Sequence, residues 1–394
     1  RWWPPVAPLG RTDPELFEKN HRDDGGLLNI DCIEVWNFAP PFTDGPYVMS
    51  HVTQECAYGR IIRVTADNGL SGLGEIVFAP SSPPELRMTQ VVSEPVYLSE
   101  LIGQNTDKLN TAAETMRSRG KPWCGIALGL ETVWFDLMGK HHGLPVAELL
   151  GGAQTDAISG YFSVSERTGE DIGKRISGTG FGTKVIQLKL GIGSIDDDEA
   201  HVTAALNTMR GDQLLLADAN GGWTIDHAVE IAARFDDERI VWEEPCRQYD
   251  DNATVARLIP EQVMVDQCVG DLATATRAVE DGATHSLCIK PVFLGGLNPG
   301  RHVRDLCADK NMQMRIDGPW CGDIATAAIL HLALGAPPDL FIAGCDLREP
   351  LTIEPGLNGV TELPDGRIAP PPGPGLGINI AEDALGPPAA VYKN

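Results

Sequence analysis

The chain reads VIQLK at 185–189, LLLAD at 214–218, IVWE at 240–243, VMVD at 263–266, SLCIK at 286–290 and MQMRID at 312–317. Each stretch is a short apolar run that ends in a charged residue, and these charged residues follow one another at gaps of 29, 25, 23, 24 and 27. Such an interval holds one strand and one helix, so the runs predict parallel strands that alternate with helices. Their number and even spacing favour closure into a barrel over an open doubly wound sheet. We therefore predict an α/β fold with a (β/α) barrel over residues 156–350.

The region before the barrel follows a different pattern. Apolar runs at 30–36, 61–66 and 72–77 predict an antiparallel sheet, with a tight turn at Asp67-Asn68-Gly69 between the last two runs. Helical periodicity then extends from residue 84 to about residue 150. We assign residues 28–155 to an α+β capping domain, with the Gly- and Pro-rich segment 351–394 packing back on it. Residues 1–27 lack periodicity and are expected to form a loosely ordered extension.

Composition limits the classes of function. The 394 residues are 42% hydrophobic, which is ample for a buried core, and their formal net charge of -24 includes no concentrated Lys/Arg run. Binding to nucleic acid or to an anionic membrane surface is therefore not expected. No apolar stretch approaches the ~20 residues that span a bilayer, and the nine cysteines include no CxxC pair. These features predict a cytoplasmic protein with reduced thiols.

Three of the strand-end residues are carboxylates, namely Asp218, Glu243 and Asp266. A single Asp after a strand more often caps the next helix. Three carboxylates that converge at one barrel mouth would repel one another unless a cation neutralised them, and oxygen-only ligation suits Mg²⁺. The sequence therefore predicts a magnesium site. Glu244 follows Glu243 directly, and strand alternation allows only one of this pair to reach the metal readily.

Two lysines, Lys189 and Lys290, end strands on either side of these carboxylates in chain order. Desolvation beside a divalent cation favours the neutral amine, so either lysine could act as a general base. Together they could reach a substrate carbon from opposite faces, removing the proton α to a carboxylate and returning it on the other side. The enolate formed in this way would need the metal and positioned donors to stabilise it.

This chemistry leaves several outcomes open. Return of the proton gives racemisation or epimerisation, whereas a substrate with a β-hydroxyl group could lose it and make the enzyme a dehydratase. A third alternative is a lyase that uses Lys290 as a Schiff-base nucleophile. A fourth is a barrel that binds a ligand without catalysis.

The residues described above resemble those of the enolase superfamily, in its muconate-lactonising subgroup. The likeness runs from about residue 30 to the C-terminus and includes GKHHGLPVAELLGG at 139–152 together with the three carboxylates and both lysines. The resemblance implies a barrel of the modified TIM type with an N-terminal cap, Mg²⁺ as cofactor, and Glu243 rather than Glu244 as the central ligand. It also implies a small-molecule carboxylate substrate and self-association into a homo-oligomer.

Within that subgroup, QLK at 187–189, Lys290 with LGG at 294–296, and DGPWCGD at 317–323 are most similar to hydroxyproline betaine 2-epimerases and cis-3-hydroxyproline dehydratases. The resemblance implies that Lys189 and Lys290 are the acid/bases of a 2-epimerase or racemase acting on a proline-betaine-like or other amino-acid derivative. Asp317 and Trp320 would then hold a cationic substrate nitrogen, by charge and by the ring face. Many members have a lysine where this chain has Gln187, and an acid where it has Gln267. The remaining substrate-binding candidates are Gln187, Asn220 and, in the long connection 37–56 that we interpret as a lid, Tyr47 and His51.

Overall fold

The computed structural model describes residues 28–42, 47–48, 53–78, 84–318, 320–345, 360–380 and 385–393. The predicted extension at 1–27, the residue His51 and the side chain of Tyr47 lie outside the described part of the chain. The cap and barrel boundaries proposed above remain predictions.

An antiparallel sheet forms the core of the N-terminal region, as the apolar runs predicted. Its four strands are ordered β16 (Ala390–Lys393), β1 (Ile30–Phe38), β4 (Gly59–Ala66) and β5 (Ser71–Val77), so the last described strand lies beside the first. A separate pair, β2 and β3, lies in the long connection. The strands of this region are β1 (Ile30–Phe38), β2 (Tyr47–Val48), β3 (Thr53–Gln54), β4 (Gly59–Ala66), β5 (Ser71–Val77) and β16 (Ala390–Lys393).

Helices cover one face of this sheet, and the longest of them, α3, packs directly on β5. Glycines make this close approach possible, because a Cβ on Gly125 would lie 1.8 Å from the carbonyl oxygen of Val77. The helix ends at Gly143, which takes the left-handed conformation common after a helix C-terminus. The helices of this region are α1 (Pro84–Ser99), α2 (Lys108–Ser118), α3 (Cys124–His142) and α4 (Val146–Leu149), with a 3₁₀ turn at Lys121–Trp123.

The predicted barrel is present as a parallel sheet of seven strands in the order β7 to β13, each next to its neighbour in sequence. The strands, with β6 just before them, are β6 (Ile158–Ser159), β7 (Phe162–Val164), β8 (Val185–Lys189), β9 (Leu214–Asp218), β10 (Ile240–Glu243), β11 (Gln262–Val265), β12 (Ser286–Ile289) and β13 (Gln313–Ile316). The helices between them are α5 (Gly169–Ser177), α6 (Ile195–Thr208), α7 (Ile225–Ala232), α8 (Tyr249–Leu258), α9 (Leu272–Asp281), α10 (Pro291–Leu294), α11 (Leu297–Asp309) and α12 (Asp323–Ala333), with a 3₁₀ turn at Gln267–Val269.

An irregular segment, 341–344, lies between the edge strand β13 and the short strand β6 that precedes β7. On one side the backbone N–H of Ile342 donates to the carbonyl of Met314 at 2.9 Å, and on the other the N–H of Gly344 donates to the carbonyl of Ser159 at 2.9 Å. The segment therefore occupies the position that an eighth strand of the barrel would take. The short strands β14 (Thr361–Glu362) and β15 (Arg367–Ala369) extend from β6 in a small antiparallel sheet.

Side chains alternate between the barrel interior and the helical layer, as strand geometry requires. The interior below the mouth is filled by Val185, Leu216, Val241, Met264, Cys288 and Ala343. The predicted fold class, a barrel with an N-terminal α+β cap, is confirmed. In the described ranges, no helix is both long enough and apolar enough to cross a membrane.

Candidate active site

The six charged residues that the spacing selected lie at the carboxyl ends of neighbouring strands, from β8 round to β13. Strand register brings their backbones level: Lys189 is paired with Asp218 across β8 and β9, and Asp218 with Glu243 across β9 and β10. The carboxylates of Asp218, Glu243 and Asp266 are all buried. We call these three the carboxylate row.

At the β8 end of the row, Lys189 forms an ion pair with Asp218, with 2.6 Å between Nζ and Oδ2. Gln187, two residues earlier on the same strand, points the same way. Its side-chain amide donates to Glu243 Oε2 at 2.8 Å and to Asp218 Oδ2 at 3.2 Å. Gln187 therefore bridges the first two carboxylates of the row.

Asn220, expected to bind substrate, has its side-chain amide against Asp218. The amide nitrogen lies 2.7 Å from each Asp218 oxygen, and the Asn220 backbone N–H donates to Oδ1 at 2.8 Å. A left-handed backbone with φ of 48° at Asn220 lets its side chain fold back onto Asp218, and Asn tolerates that conformation better than most residues. Asn220 thus orients a predicted metal ligand, and its contact with substrate stays a prediction.

At the other end of the row, Lys290 forms an ion pair with Asp266, with 2.7 Å between Nζ and Oδ2. Lys189 and Lys290 are therefore bound to the two outer carboxylates, and Glu243 lies between them. Burial would lower the pKa of Lys290, but Asp266 outweighs this effect and raises the pKa above its ordinary value. The neutral lysine expected from burial alone is thus opposed by the ion pair, and Lys290 is a protonated donor in this arrangement.

A further cation, Arg315 on β13, was not predicted as a site residue. Its guanidinium contacts Glu243 with both terminal nitrogens, Nη2 to Oε1 at 2.6 Å and Nη1 to Oε2 at 2.9 Å. It also lies 3.7 Å from Asp266 Oδ2. The alternation of side chains along a strand could have identified this residue, because Arg315 is two positions before Asp317 and must point into the barrel with it.

Burial and neighbouring charges shift the pKa values of Glu243 and Asp266 in opposite directions. Burial raises the pKa of Glu243 to about 7, although Arg315 opposes the rise. Burial would also raise the pKa of Asp266, but Lys290 and Arg315 outweigh it and hold that pKa below its ordinary value. Glu243 therefore releases its proton at a higher pH than Asp266 does.

Glu244 has a different environment from Glu243. Its backbone turns at a φ of 44°, and its carboxylate accepts hydrogen bonds from the backbone N–H groups of Asp266 and Cys268, both at 2.6 Å. Burial raises the pKa of Glu244 to about 8. Glu244 therefore supports the loop after β11, and Glu243 is the member of the pair that faces the row.

Asp317 and Trp320 lie beyond β13. The hydroxyl of Tyr161 donates to Asp317 Oδ2 at 2.7 Å, while Asp317 Oδ1 is buried with no hydrogen-bond partner in the described structure. The ring of Trp320 packs edge-on against Phe42 of the cap, with 5.1 Å between the ring centroids. Asp317 thus retains one oxygen for a donor, and Trp320 lies where the long connection of the cap meets the barrel.

The cap is also joined to the barrel mouth through Glu75 on β5. This buried carboxylate accepts hydrogen bonds from the backbone N–H groups of Gly322 at 2.6 Å and Ala325 at 3.1 Å, at the start of α12. The positive end of the helix favours a carboxylate there, yet burial raises the pKa of Glu75 to about 7. Sequence reasoning did not identify this contact.

The carboxylate row fits a divalent cation in the type and order of its donors. All three ligands offer oxygen, as Mg²⁺ prefers, and Asp266 Oδ1 is buried without a partner in the described part of the chain. As they stand, the His, Cys, Asp and Glu side chains of the described residues form no group of three that could hold a metal. Gln187 and Arg315 lie between the carboxylates, so the row would have to draw together around the cation.

Comparison with known proteins places this geometry in a family. Residues 174–384 match the family described as Enolase C-terminal domain-like, and residues 32–151 match the N-terminal domain of mandelate racemase / muconate lactonizing enzyme. The chain is 29% identical over 375 residues to the cis-3-hydroxy-L-proline dehydratase of Roseibium aggregatum, which covers 93% of this chain and 100% of that protein.

Two further proteins match along most of the chain. The chain is 26% identical to the N-succinylamino acid racemase of Thermus thermophilus, over 79% of this chain and 85% of that protein. The crystal structure of an enolase superfamily member from Roseovarius nubinhibens, complexed with magnesium, matches with a TM-score of 0.81 at 27% identity and covers 93% of this chain and 100% of that chain. The protein is therefore an enzyme of the enolase superfamily and belongs to its mandelate racemase and muconate lactonizing enzyme family.

Proposed function

We propose that the enzyme removes the proton α to the carboxylate of a proline-betaine-like or other amino-acid derivative, and that its main outcome is 2-epimerisation or racemisation. The observation that carries this proposal is the pairing of Lys189 and Lys290 with the two outer carboxylates of the row, at 2.6 and 2.7 Å. Two amines placed on either side of one acidic cluster can act on opposite faces of the same carbon.

In this reaction one lysine removes a proton and the other donates one. One neutral lysine takes the α-proton, the electron pair of the C–H bond moves into the substrate carboxylate, and the other lysine, protonated, gives a proton to the opposite face. Without a bound cation, Asp266 raises the pKa of Lys290, which suits Lys290 as the donor when Lys189 is the base; for the opposite stereoisomer the two lysines exchange roles. A divalent cation held by Asp218, Glu243 and Asp266 would neutralise the charge that develops on the substrate carboxylate.

The substrate nitrogen has a matching site in this proposal. Within the described part of the chain, the buried Oδ1 of Asp317 has no hydrogen-bond partner and can pair by charge with a cationic nitrogen, and the Tyr161 hydroxyl fixes the other oxygen. The ring of Trp320 lies three residues further along the chain, beside the cap. An amino-acid derivative with a positive nitrogen would therefore place its α-carbon beside the lysines.

A dehydratase of a hydroxyproline or another β-hydroxy acid is the second candidate. The similarity to a cis-3-hydroxy-L-proline dehydratase along nearly the whole chain favours it. The first step is the same proton abstraction, after which the electron pair expels the β-hydroxyl as water with a proton from a lysine. The resulting enamine has lost the stereocentre at Cα and tautomerises to an imine, which water can hydrolyse to a 2-oxo acid.

Exchange of the α-proton with solvent deuterium tests the proposal. Proline betaines, hydroxyprolines and N-acylamino acids are incubated in D₂O, and deuterium at Cα is followed by NMR with and without EDTA. K290M should lose exchange from one stereoisomer by about 10²–10⁴-fold and retain it from the other, and K189M should show the reverse preference. K174M, at an exposed lysine on α5, is the control.

The outcomes separate the candidates. Deuterated substrate of inverted configuration supports the epimerase or racemase, whereas a 2-oxo acid or imine supports the dehydratase. Exchange that is unchanged in both lysine variants, or unaffected by EDTA, would contradict the proposed mechanism.

A further inference from the structure

Arg315 is a permanent positive charge inside the barrel, one layer below the six predicted residues. Its side chain is 1% exposed. Besides its two contacts with Glu243, its Nε lies 3.2 Å from Cys288 Sγ and 3.8 Å from Asp317 Oδ2, and its guanidinium stacks over the Tyr161 ring at 5.1 Å. The nitrogens and one face of the guanidinium are thus in contact with protein atoms.

A buried guanidinium is stable only with matched negative charge around it, because the desolvation of an unpaired charge costs several kcal/mol. Arginine also cannot release its proton in a protein. Arg315 therefore stays positively charged and depends on the surrounding carboxylates for its stability. Glu243, the central carboxylate, has both of its oxygens bonded to Arg315.

The charges of the cluster show what Arg315 contributes. Four carboxylates face three cations, and the excess is one negative charge if all are ionised. Without Arg315 the two lysines alone would face four carboxylates, and each lysine is bound to an outer member of the row. The carboxylates concerned are Asp218, Glu243, Asp266 and Asp317, and the cations are Lys189, Lys290 and Arg315.

We propose that Arg315 is an internal counter-ion that stabilises the carboxylate row in the metal-free protein and thereby weakens the affinity of the row for a divalent cation. The inference rests on the metal-binding role proposed above. A cation that approaches Glu243 meets a guanidinium already bonded to both oxygens, and like charges at such short range in a buried site repel strongly. The guanidinium must turn away or share an oxygen for the metal to bind.

The opposite role is also chemically reasonable and makes the inference testable. If Arg315 only oriented Glu243 toward the metal, its loss would weaken metal binding. If Arg315 only filled space, its loss would change stability without changing metal affinity. The direction of the change in affinity therefore separates the three roles.

The experiment measures binding of Mn²⁺ and Mg²⁺ to metal-free protein by isothermal titration calorimetry. R315Q should bind either ion at least about tenfold more tightly than the wild type, since a charged contact on a ligand is removed. Its thermal midpoint should be lower without metal and should rise more on addition of Mg²⁺. R315K keeps the charge and should stay nearer the wild type.

The matched control is R304Q. Arg304 is also buried, but its guanidinium donates to the backbone carbonyls of Leu332 at 3.0 Å and Leu150 at 2.9 Å, away from the row. R304Q should lower the thermal midpoint and leave metal affinity unchanged. This control removes a buried arginine without changing the charge of the cluster.

A second readout does not depend on R315Q folding. In wild-type protein labelled with ¹⁵N-arginine, the Nε–H resonance of Arg315, assigned from its loss in R315K, should move as Mg²⁺ is added. The inference is overturned, and the proposed metal site is not, if the resonance does not move at saturating Mg²⁺. The same holds if R315Q binds the ions no more tightly than the wild type does. If neither wild type nor R315Q binds either ion, the proposed metal site fails and the inference fails with it.

Discussion

Glu75 makes the stability of the protein depend on pH in a defined direction. Its carboxylate is buried between β5 and the start of α12, where it accepts hydrogen bonds from Gly322 and Ala325. Burial, with a smaller contribution from the nearby Asp323, raises its pKa from 4.5 to about 7. The folded protein therefore holds the proton more tightly than the unfolded chain does.

The direction and magnitude of the change in stability with pH follow from the linkage between protonation and folding. Below pH 4.5 the carboxyl is protonated in both states, so the stabilising effect of the folded site on the protonated form is fully present. As pH rises toward 7, the unfolded chain releases its proton first and stability falls, levelling off above about pH 7. A rise in pKa from 4.5 to about 7 corresponds to about 3 kcal/mol over this window.

Substitution by glutamine tests this reasoning, because E75Q mimics the neutral carboxyl and cannot ionise. Urea unfolding of wild type and E75Q is followed by tryptophan fluorescence between pH 4 and pH 8. The stability of E75Q relative to wild type should increase by up to about 3 kcal/mol as pH rises through the window. E100Q, at an exposed glutamate of the same region, should parallel the wild type. If E75Q also parallels the wild type, the buried carboxylate is not the origin of the pH dependence.

Two packing predictions accompany this one. G125A should destabilise the protein by roughly 3 kcal/mol in urea unfolding, because the new Cβ would overlap the Val77 carbonyl where α3 meets β5; G211A, with open space at its Cβ, should be nearly neutral. N252A should cost about 2–3 kcal/mol in the same assay, because the buried amide bonds both the N–H and the carbonyl of Cys246 at 2.7 Å. A neutral result for either would show that the surrounding backbone relaxes.

The spacing of charged residues predicted the barrel and the row because both depend on where strands end. A charged residue that closes an apolar run marks the strand terminus, and parallel strands bring their termini to one edge. The same reasoning could not find the segment at 341–344, since it has no regular strand pattern and is held by Met314 and Ser159 from distant parts of the chain.

Residues one layer below the strand ends could be predicted only from the two-residue alternation of side chains along a strand. Lys189 and Gln187 share a face, and so do Asp317 and Arg315, because side chains two apart in a strand point the same way. Only the outer member of the second pair was predicted. Glu244 and Asn220 could not be placed by either rule, since positive φ angles of 44° and 48° turn them out of strand geometry.

In the proposed metal site, the neutral side chain of Gln187 limits the positive charge that Arg315 brings to the cluster. Both lie in the layer below the mouth, and both donate to Oε2 of Glu243, at 2.8 and 2.9 Å. A lysine at position 187 beside Arg315 would set four cations against four carboxylates and leave no net negative charge to attract a metal. The neutral amide keeps one negative charge in excess while still bridging two carboxylates. An arginine on β13 is therefore compatible with metal binding because residue 187 is uncharged, and the two positions must be considered as one unit.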